Sequence, residues 1–150
     1  LENVLLPVEI LGLDRRAHRR KAEELLGLVG LAGFEEFFPS EISGGMLKRA
    51  GVARAMALDP DILFFDEPSA GLDPVVAAEI DELLLRYRDV LGITLVVVTH
   101  HLESVRSIAD RAIMVGRGRV IASGTIQELE HSADRDVHAF FHRIPLARAA

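Results

Sequence analysis

Apolar residues recur at helical spacing in the first third of the chain and give way after Asp59-Pro60 to short unbroken apolar runs. Ala22, Leu25, Leu26 and Val29 fall at i, i+3, i+4 and i+7, one face of a helix that Asp14 is placed to cap. Arg19 with Glu23 and Arg20 with Glu24 add i, i+4 ion pairs to its polar side. A second helix is expected from about Gly44 to Leu58, stopped by Asp59-Pro60, because a residue before proline avoids the helical region. Ile62 to Phe65 is continuously apolar, which predicts a strand buried on both faces of a parallel sheet. Pro74 then opens a long helix with Val76, Ile80, Leu83, Leu84, Tyr87 and Leu91 on one stripe and Gly92 as its stop. The run "TLVVVTH" repeats the buried-strand pattern, giving strand–helix–strand and a right-handed crossover. After a short helix near Leu102 to Ala109, "RAIMVGRGRVIASG" predicts a hairpin joined through Gly116-Arg117-Gly118-Arg119. Thr125 and Glu128 match a capping box for another helix, and Asp134 to Ala150 is expected to be partly helical and then to fray. The pattern is that of an α/β domain.

Composition narrows the classes. The 150 residues are 49% apolar and 27% charged, an ordinary globular balance for one domain. A net charge of −6 argues against nucleic acid as the main partner, since a phosphate-binding surface needs a basic excess. The basic run Arg15 to Lys21 is read as a solvated helix face, because acidic residues follow within a turn. There is no cysteine, hence no disulfide framework and no thiolate metal site. The apolar runs, such as Leu95 to Val98, fall far short of the roughly 20 residues that span a bilayer. Leu1 to Leu6 carries Glu2 and no basic lead-in, so this stretch does not itself read as a signal peptide.

Two places carry candidate chemistry. Asp66 and Glu67 follow "ILFF" directly, at the carboxyl end of a predicted strand, where open α/β sheets bind ligands. Neighbouring strand residues point in different directions, so one carboxylate can address a hard cation such as Mg²⁺ and the other a water molecule. A solvated strand end is the bland alternative. The second place is "SGG": Ser43 can cap the following helix, leaving the amides of Gly44 and Gly45 at its positive end, where missing side chains let an anion come close. Either motif alone is common in loops. Their order is not: "SGGM" opening a helix, then "ILFFDEP", "SAGLDP" and "VVVTH".

That ordered set resembles the nucleotide-binding subunit of ATP-binding cassette (ABC) transporters, and the resemblance runs over nearly the whole chain. "ISGGM", Ile42 to Met46, looks like the signature motif, and "ILFFDE" like the Walker B strand. "SAGLD", Ser69 to Asp73, resembles the D-loop, and His100 after Thr99 matches the switch histidine. The resemblance implies a partial P-loop NTPase core with a mostly parallel sheet, a helical subdomain over about residues 1–58 bearing the signature, and the distal half of the catalytic core over about 59–150. It implies ATP and Mg²⁺ as cofactors of the full domain. Asp66 would be the magnesium-linked carboxylate, Glu67 the general base and His100 the γ-phosphate contact. Ser43, Gly44, Gly45 and Met46 would meet a nucleotide held by a second copy of the subunit, with Ser69, Gly71 and Asp73 in the D-loop. A transmembrane permease would be the other partner, at the cytoplasmic face of a bacterial inner membrane. His101 is expected only to cap the following helix.

The pattern departs from the family in two ways. The only lysines, Lys21 and Lys48, follow Arg20 and Leu47, so no G-x-x-x-x-G-K-[ST] phosphate loop occurs among the 150 residues. The chain is therefore expected to correspond to the later three-fifths or so of such a subunit, to bind ATP weakly by itself, to hydrolyse it negligibly, and to self-associate through an uncovered sheet edge. Met46 stands where the usual signature has glutamine, and the stretch from "SGGMLKRAG" to "SAGLDP" resembles the maintenance-of-lipid-asymmetry (Mla) branch, which implies phospholipid transport. Two alternatives stay open. A chromosome-maintenance or recombination-repair ATPase would place heptad-rich coiled coil before Ser43, whereas Asp14 to Leu31 reads as one short helix. A non-catalytic regulatory piece is the other.

Overall fold

The computed structural model describes residues 1–145, which fall into two compact units divided between Val98 and Thr99. The expected fraying of the tail beyond Pro145 lies outside the described residues.

The first unit begins with α1 (Glu2–Ile10), α2 (Arg15–Leu28) and, after a single 3₁₀ turn at Pro39–Glu41, α3 (Gly44–Ala55). These three helices pack on one another around Val4, Leu5, Val8, Leu25, Leu26, Val29, Val52 and Ala53, all buried. Removing a side chain such as Leu5 from water contributes about 2 kcal/mol. Asp14 caps α2 as its position predicts, accepting from the Arg16 amide at 2.8 Å, and the Arg19–Glu23 and Arg20–Glu24 pairs form at 3.0 and 2.9 Å. The helix α1 has no counterpart in the sequence reading. Pro7 lies inside it and lacks an amide proton, yet Val4, Leu5 and Val8 bury one face and outweigh that lost bond. The helix expected to reach Leu58 ends at Ala55, and the chain leaves through Asp59 at φ +51°.

Next come β1 (Ile62–Asp66), α4 (Pro74–Leu91) and β2 (Thr94–Val98). The strands pair in parallel, Phe64 opposite Val96 and Asp66 opposite Val98, with α4 packed against β2. Burial on both faces is corrected here. Leu63 is buried, but Ile62 and Phe64 are 50% and 73% exposed, as are Val96 (38%) and Val98 (60%) on the same face. The reason is the two-stranded sheet: within this unit the helices lie on the side bearing Leu63. On α4 the predicted stripe buries Ile80, Leu83, Leu84 and Tyr87, while Leu91 near the helix end stays 46% exposed. Gly92 ends the helix at φ +65°, where glycine carries no Cβ penalty.

The second unit holds α5 (Leu102–Ile108), the antiparallel hairpin β3 (Arg111–Gly116) and β4 (Arg119–Thr125), α6 (Ile126–Glu130) and α7 (Arg135–Phe141). Arg117 and Gly118 make the turn, both at positive φ, as a two-residue hairpin link requires. Leu102, Leu129, Val137 and Phe141 form its core. The predicted capping box is present: Thr125 Oγ1 accepts from the Glu128 amide at 3.2 Å and Glu128 Oε2 from the Thr125 amide at 2.8 Å. The backbone hydrogen bond from Thr125, and then its hydroxyl, hold the Glu128 carboxyl below the ordinary carboxylate value.

Candidate functional site

In the first unit, the start of α3 and the corner after β1 stand together. Ser43 is the N-cap in extended geometry, and its Oγ accepts from the Met46 amide at 3.2 Å. The opening amides of a helix have no intrahelical acceptor, so those of Gly44 and Gly45 remain donors at the positive end of α3. Ser43 and Gly44 are exposed, Gly45 and Met46 half-buried. The Ser43 hydroxyl still has its own proton to donate. A phosphate-sized anion therefore finds fitting donors here.

The two glycines are not equivalent. A Cβ on Gly44 would lie 3.9 Å from the Leu72 side chain, an ordinary contact. A Cβ on Gly45 would lie 2.9 Å from Val76 Cγ1, closer than real Cβ atoms come, and Val76 on α4 is β-branched and cannot swing aside. Gly45 thus has a packing reason that the sequence reading did not contain: it lets α3 rest on the first turn of α4. Arg49 of α3 pairs with Glu79 of α4 beside that contact.

Asp66 closes β1 with its side chain exposed, a suitable oxygen donor for a hard cation. Glu67 carries the parallel ladder one residue further, its amide donating to Val98 O at 2.8 Å. It is half-buried and sits at φ +48° although it precedes Pro68. Residues before proline favour extended backbone, and a non-glycine in the left-handed region costs on the order of 1–3 kcal/mol. The Glu67 carbonyl accepts from Ala70 N–H at 3.1 Å and from Lys48 Nζ at 3.5 Å. Lys48 escaped the sequence reading, which weighed it only for the phosphate loop. Its position five residues after Ser43 was the available signal.

The turn from Ser69 to Asp73 follows. Ser69 is buried, Gly71 adopts φ +77°, and Asp73 caps α4, its Oδ1 accepting from the amides of Val75 at 3.0 Å and Val76 at 3.1 Å. Asp73 is thereby committed to the helix. Hence Ser43 to Met46, Asp66, Glu67, Ser69, Gly71 and Asp73 all belong to the first unit.

His100 belongs to the second unit, exposed, with its ring centroid 4.4 Å from that of His101. His101 does occupy the N-cap position of α5, but its side chain makes no capping bond; its amide instead donates to Thr99 Oγ1 at 3.1 Å. An imidazole is longer and less well placed than the Ser, Thr or Asp oxygens that cap helices.

The family model of ABC transporters matches residues 2–70. The methionine import ATP-binding protein MetN of Streptomyces griseus is 45% identical over 129 residues, 86% of this chain and 36% of that protein. MetN 2 of Lactiplantibacillus plantarum is 44% identical, covering 86% of this chain and 38% of its own length. The chain thus spans less than two-fifths of these two curated relatives. Among solved structures, the ADP conformation of MJ1267, an ATP-binding cassette of an ABC transporter, superposes with a TM-score of 0.74 at 27% identity, over 84% of this chain and 50% of that one. These relatives do not support the lipid-asymmetry branch that Met46 suggested.

Proposed function

We propose that this chain, which carries the sequence and the α/β fold of an ABC transporter ATP-binding domain, supplies the signature helix and the Walker B corner of a transporter's ATPase subunit. The observation that carries the proposal is the pairing of the open α3 tip with Asp66 and Glu67 within one unit, joined by the bond from Lys48 to the Glu67 carbonyl.

Phosphoryl transfer needs charge compensation and an oriented water more than covalent help. Glu67 orients and deprotonates that water, its backbone held by Val98, Ala70 and Lys48. Asp66 is the residue that would hold Mg²⁺, which supplies charge neutralisation on the phosphates. His100 contacts the terminal phosphate. Ser43, Gly44 and Gly45, with Met46, present their donors to an ATP held by a second copy of the subunit, and the D-loop residues Ser69, Gly71 and Asp73 shape the approach. The remaining partner is a membrane permease, which puts the assembly at the cytoplasmic face of a bacterial inner membrane. No helix among the described residues is long and apolar enough to cross a membrane, which fits a peripheral subunit.

For the cargo, the relatives favour an amino acid of the methionine kind. A second reading, phospholipid, rests on Met46 in the glutamine position of the signature. The two separate in cells lacking their own transporter. Growth on limiting methionine supports the first, and repaired detergent resistance of the outer membrane supports the second. The ATPase reading itself is tested by co-expressing the chain with a half-domain that contains the Gly-Lys-[Ser/Thr] loop. Mg-ATP turnover should appear with both pieces and not with either one. No turnover from a folded, associated pair would sink the reading and favour a regulatory role.

A further inference from the structure

The two lysines of the chain end differently. Lys21 pairs with the Asp59 carboxylate at 2.5 Å. Lys48, half-buried on α3, carries its ammonium to a main-chain oxygen instead, 3.5 Å away on the Glu67 carbonyl.

We propose that Lys48 is a positioning residue: from the signature helix it aims Glu67, so that the base is set only while α3 is docked. This role rests on the reading of Glu67 as the general base of an ABC ATPase. The peptide unit between Glu67 and Pro68 has no N–H, because proline lacks one, so the Glu67 carbonyl is its only polar handle. Two donors hold that carbonyl. The Ala70 amide, at 3.1 Å, belongs to the same turn and moves with it. Lys48 is the donor that comes from another element. Its full charge gives a bond of this length a strength that a neutral donor would lack. Freed of Lys48, Glu67 would leave φ +48° for the extended backbone that residues before proline favour, and its carboxylate would swing with it.

Gly45, Lys48 and Arg49 fall at i, i+3 and i+4, one face of α3. That face is docked on both sides of Lys48: Gly45 rests against Val76, and Arg49 pairs with Glu79. Gly44 precedes Lys48 by four residues, about 6 Å along the helix axis. Tip and ammonium therefore move as one rigid piece. An anion drawn to the amides of Gly44 and Gly45 seats the helix that carries Lys48, and the corner after β1 responds. ATP held by the second copy, met at this tip, thereby prepares the base of this chain.

The test uses the chain co-expressed with the half-domain that contains the phosphate loop. Lys48→Met keeps the length of the stem but loses the charge and the donors. It should lower kcat at least about tenfold, with KM for Mg-ATP within about threefold of the parent. Lys48→Arg keeps charge and donors and should stay within about threefold of the parent kcat. A raised KM at unchanged kcat would make Lys48 a nucleotide contact, and an equal loss in both variants would make it a packing residue; either overturns the proposal. A second measurement needs no turnover: backbone amide exchange of the 150-residue chain without nucleotide. Lys48→Met should speed exchange of the Ala70 amide at least about fivefold and leave that of Leu84, inside α4, unchanged. Unchanged exchange at Ala70 would overturn the proposal. If the parent pair fails to turn over, the ATPase reading falls, and Ala70 exchange still decides whether Lys48 holds the corner.

Discussion

The tip of α3 and the corner after β1 both bear the residues expected to meet ATP, yet they reach their geometry differently. At the tip, folding and ligand binding ask for the same residues. Ser43 is a good cap in any helix, and Gly45 is required by Val76 whether or not a nucleotide ever arrives. At the corner the two demands conflict. Glu67 takes a left-handed backbone before a proline, where glycine or asparagine would be easier, and two acceptor bonds plus a ladder bond hold it there. The difference teaches which observations discriminate. A residue that the fold already explains says little about function, whereas a strained one braced from three sides points to work outside the fold.

The largest effect is expected of Glu67→Gln in the chain co-expressed with the half-domain that bears the phosphate loop. Turnover should fall by about 10²–10⁴-fold with the denaturation midpoint unchanged or higher. Unchanged turnover would make the corner's strain purely structural. Next in size is Gly45→Ala, expected to lower stability by about 1–3 kcal/mol in urea unfolding, because the added carbon meets a stiff side chain. Adding Val76→Ala should return most of that loss, and Gly44→Ala should stay within about 0.5 kcal/mol of the parent. Glu67→Gly should raise stability by about 1 kcal/mol by relieving the backbone; a loss would show that the side chain anchors the corner.

The smallest effect concerns Tyr87. Burial pushes its hydroxyl up to about 12, and among the described residues that hydroxyl has no hydrogen-bond partner. The folded protein therefore holds this proton more tightly than the unfolded chain, whose tyrosine titrates near about 10. Stability is fully present below pH 10 and is lost as pH rises from there towards 12. Tyr87→Phe should leave neutral-pH stability equal or slightly higher and remove this part of the alkaline loss.

Local rules were legible in the sequence because they act within a few residues. Asp14, Ser43 and Thr125 cap where their positions predict, and Gly92 stops α4. The hairpin turn at Arg117-Gly118 was equally plain. What failed depended on partners far along the chain. The helix α1, which contains Pro7, was not read from the sequence, and its packing on α2 and α3 holds it. The apolar runs of β1 and β2 reported that both faces can be buried, not that both are. In the candidate site, motif order picked out Ser43 to Met46, Asp66 and Glu67 as candidates, but it could not show that Gly45 meets Val76 or that Lys48 reaches Glu67. Those contacts join residues 31 and 19 positions apart, set by how α3 docks.

The Gly45–Val76 contact also leaves a trace in evolution. No methyl group fits at position 45 while a branched residue occupies 76, so drift at one site requires a prior change at the other. Relatives with alanine at the first position should carry alanine or serine at the second. The two sites should then covary across lineages even where the bound nucleotide never touches either.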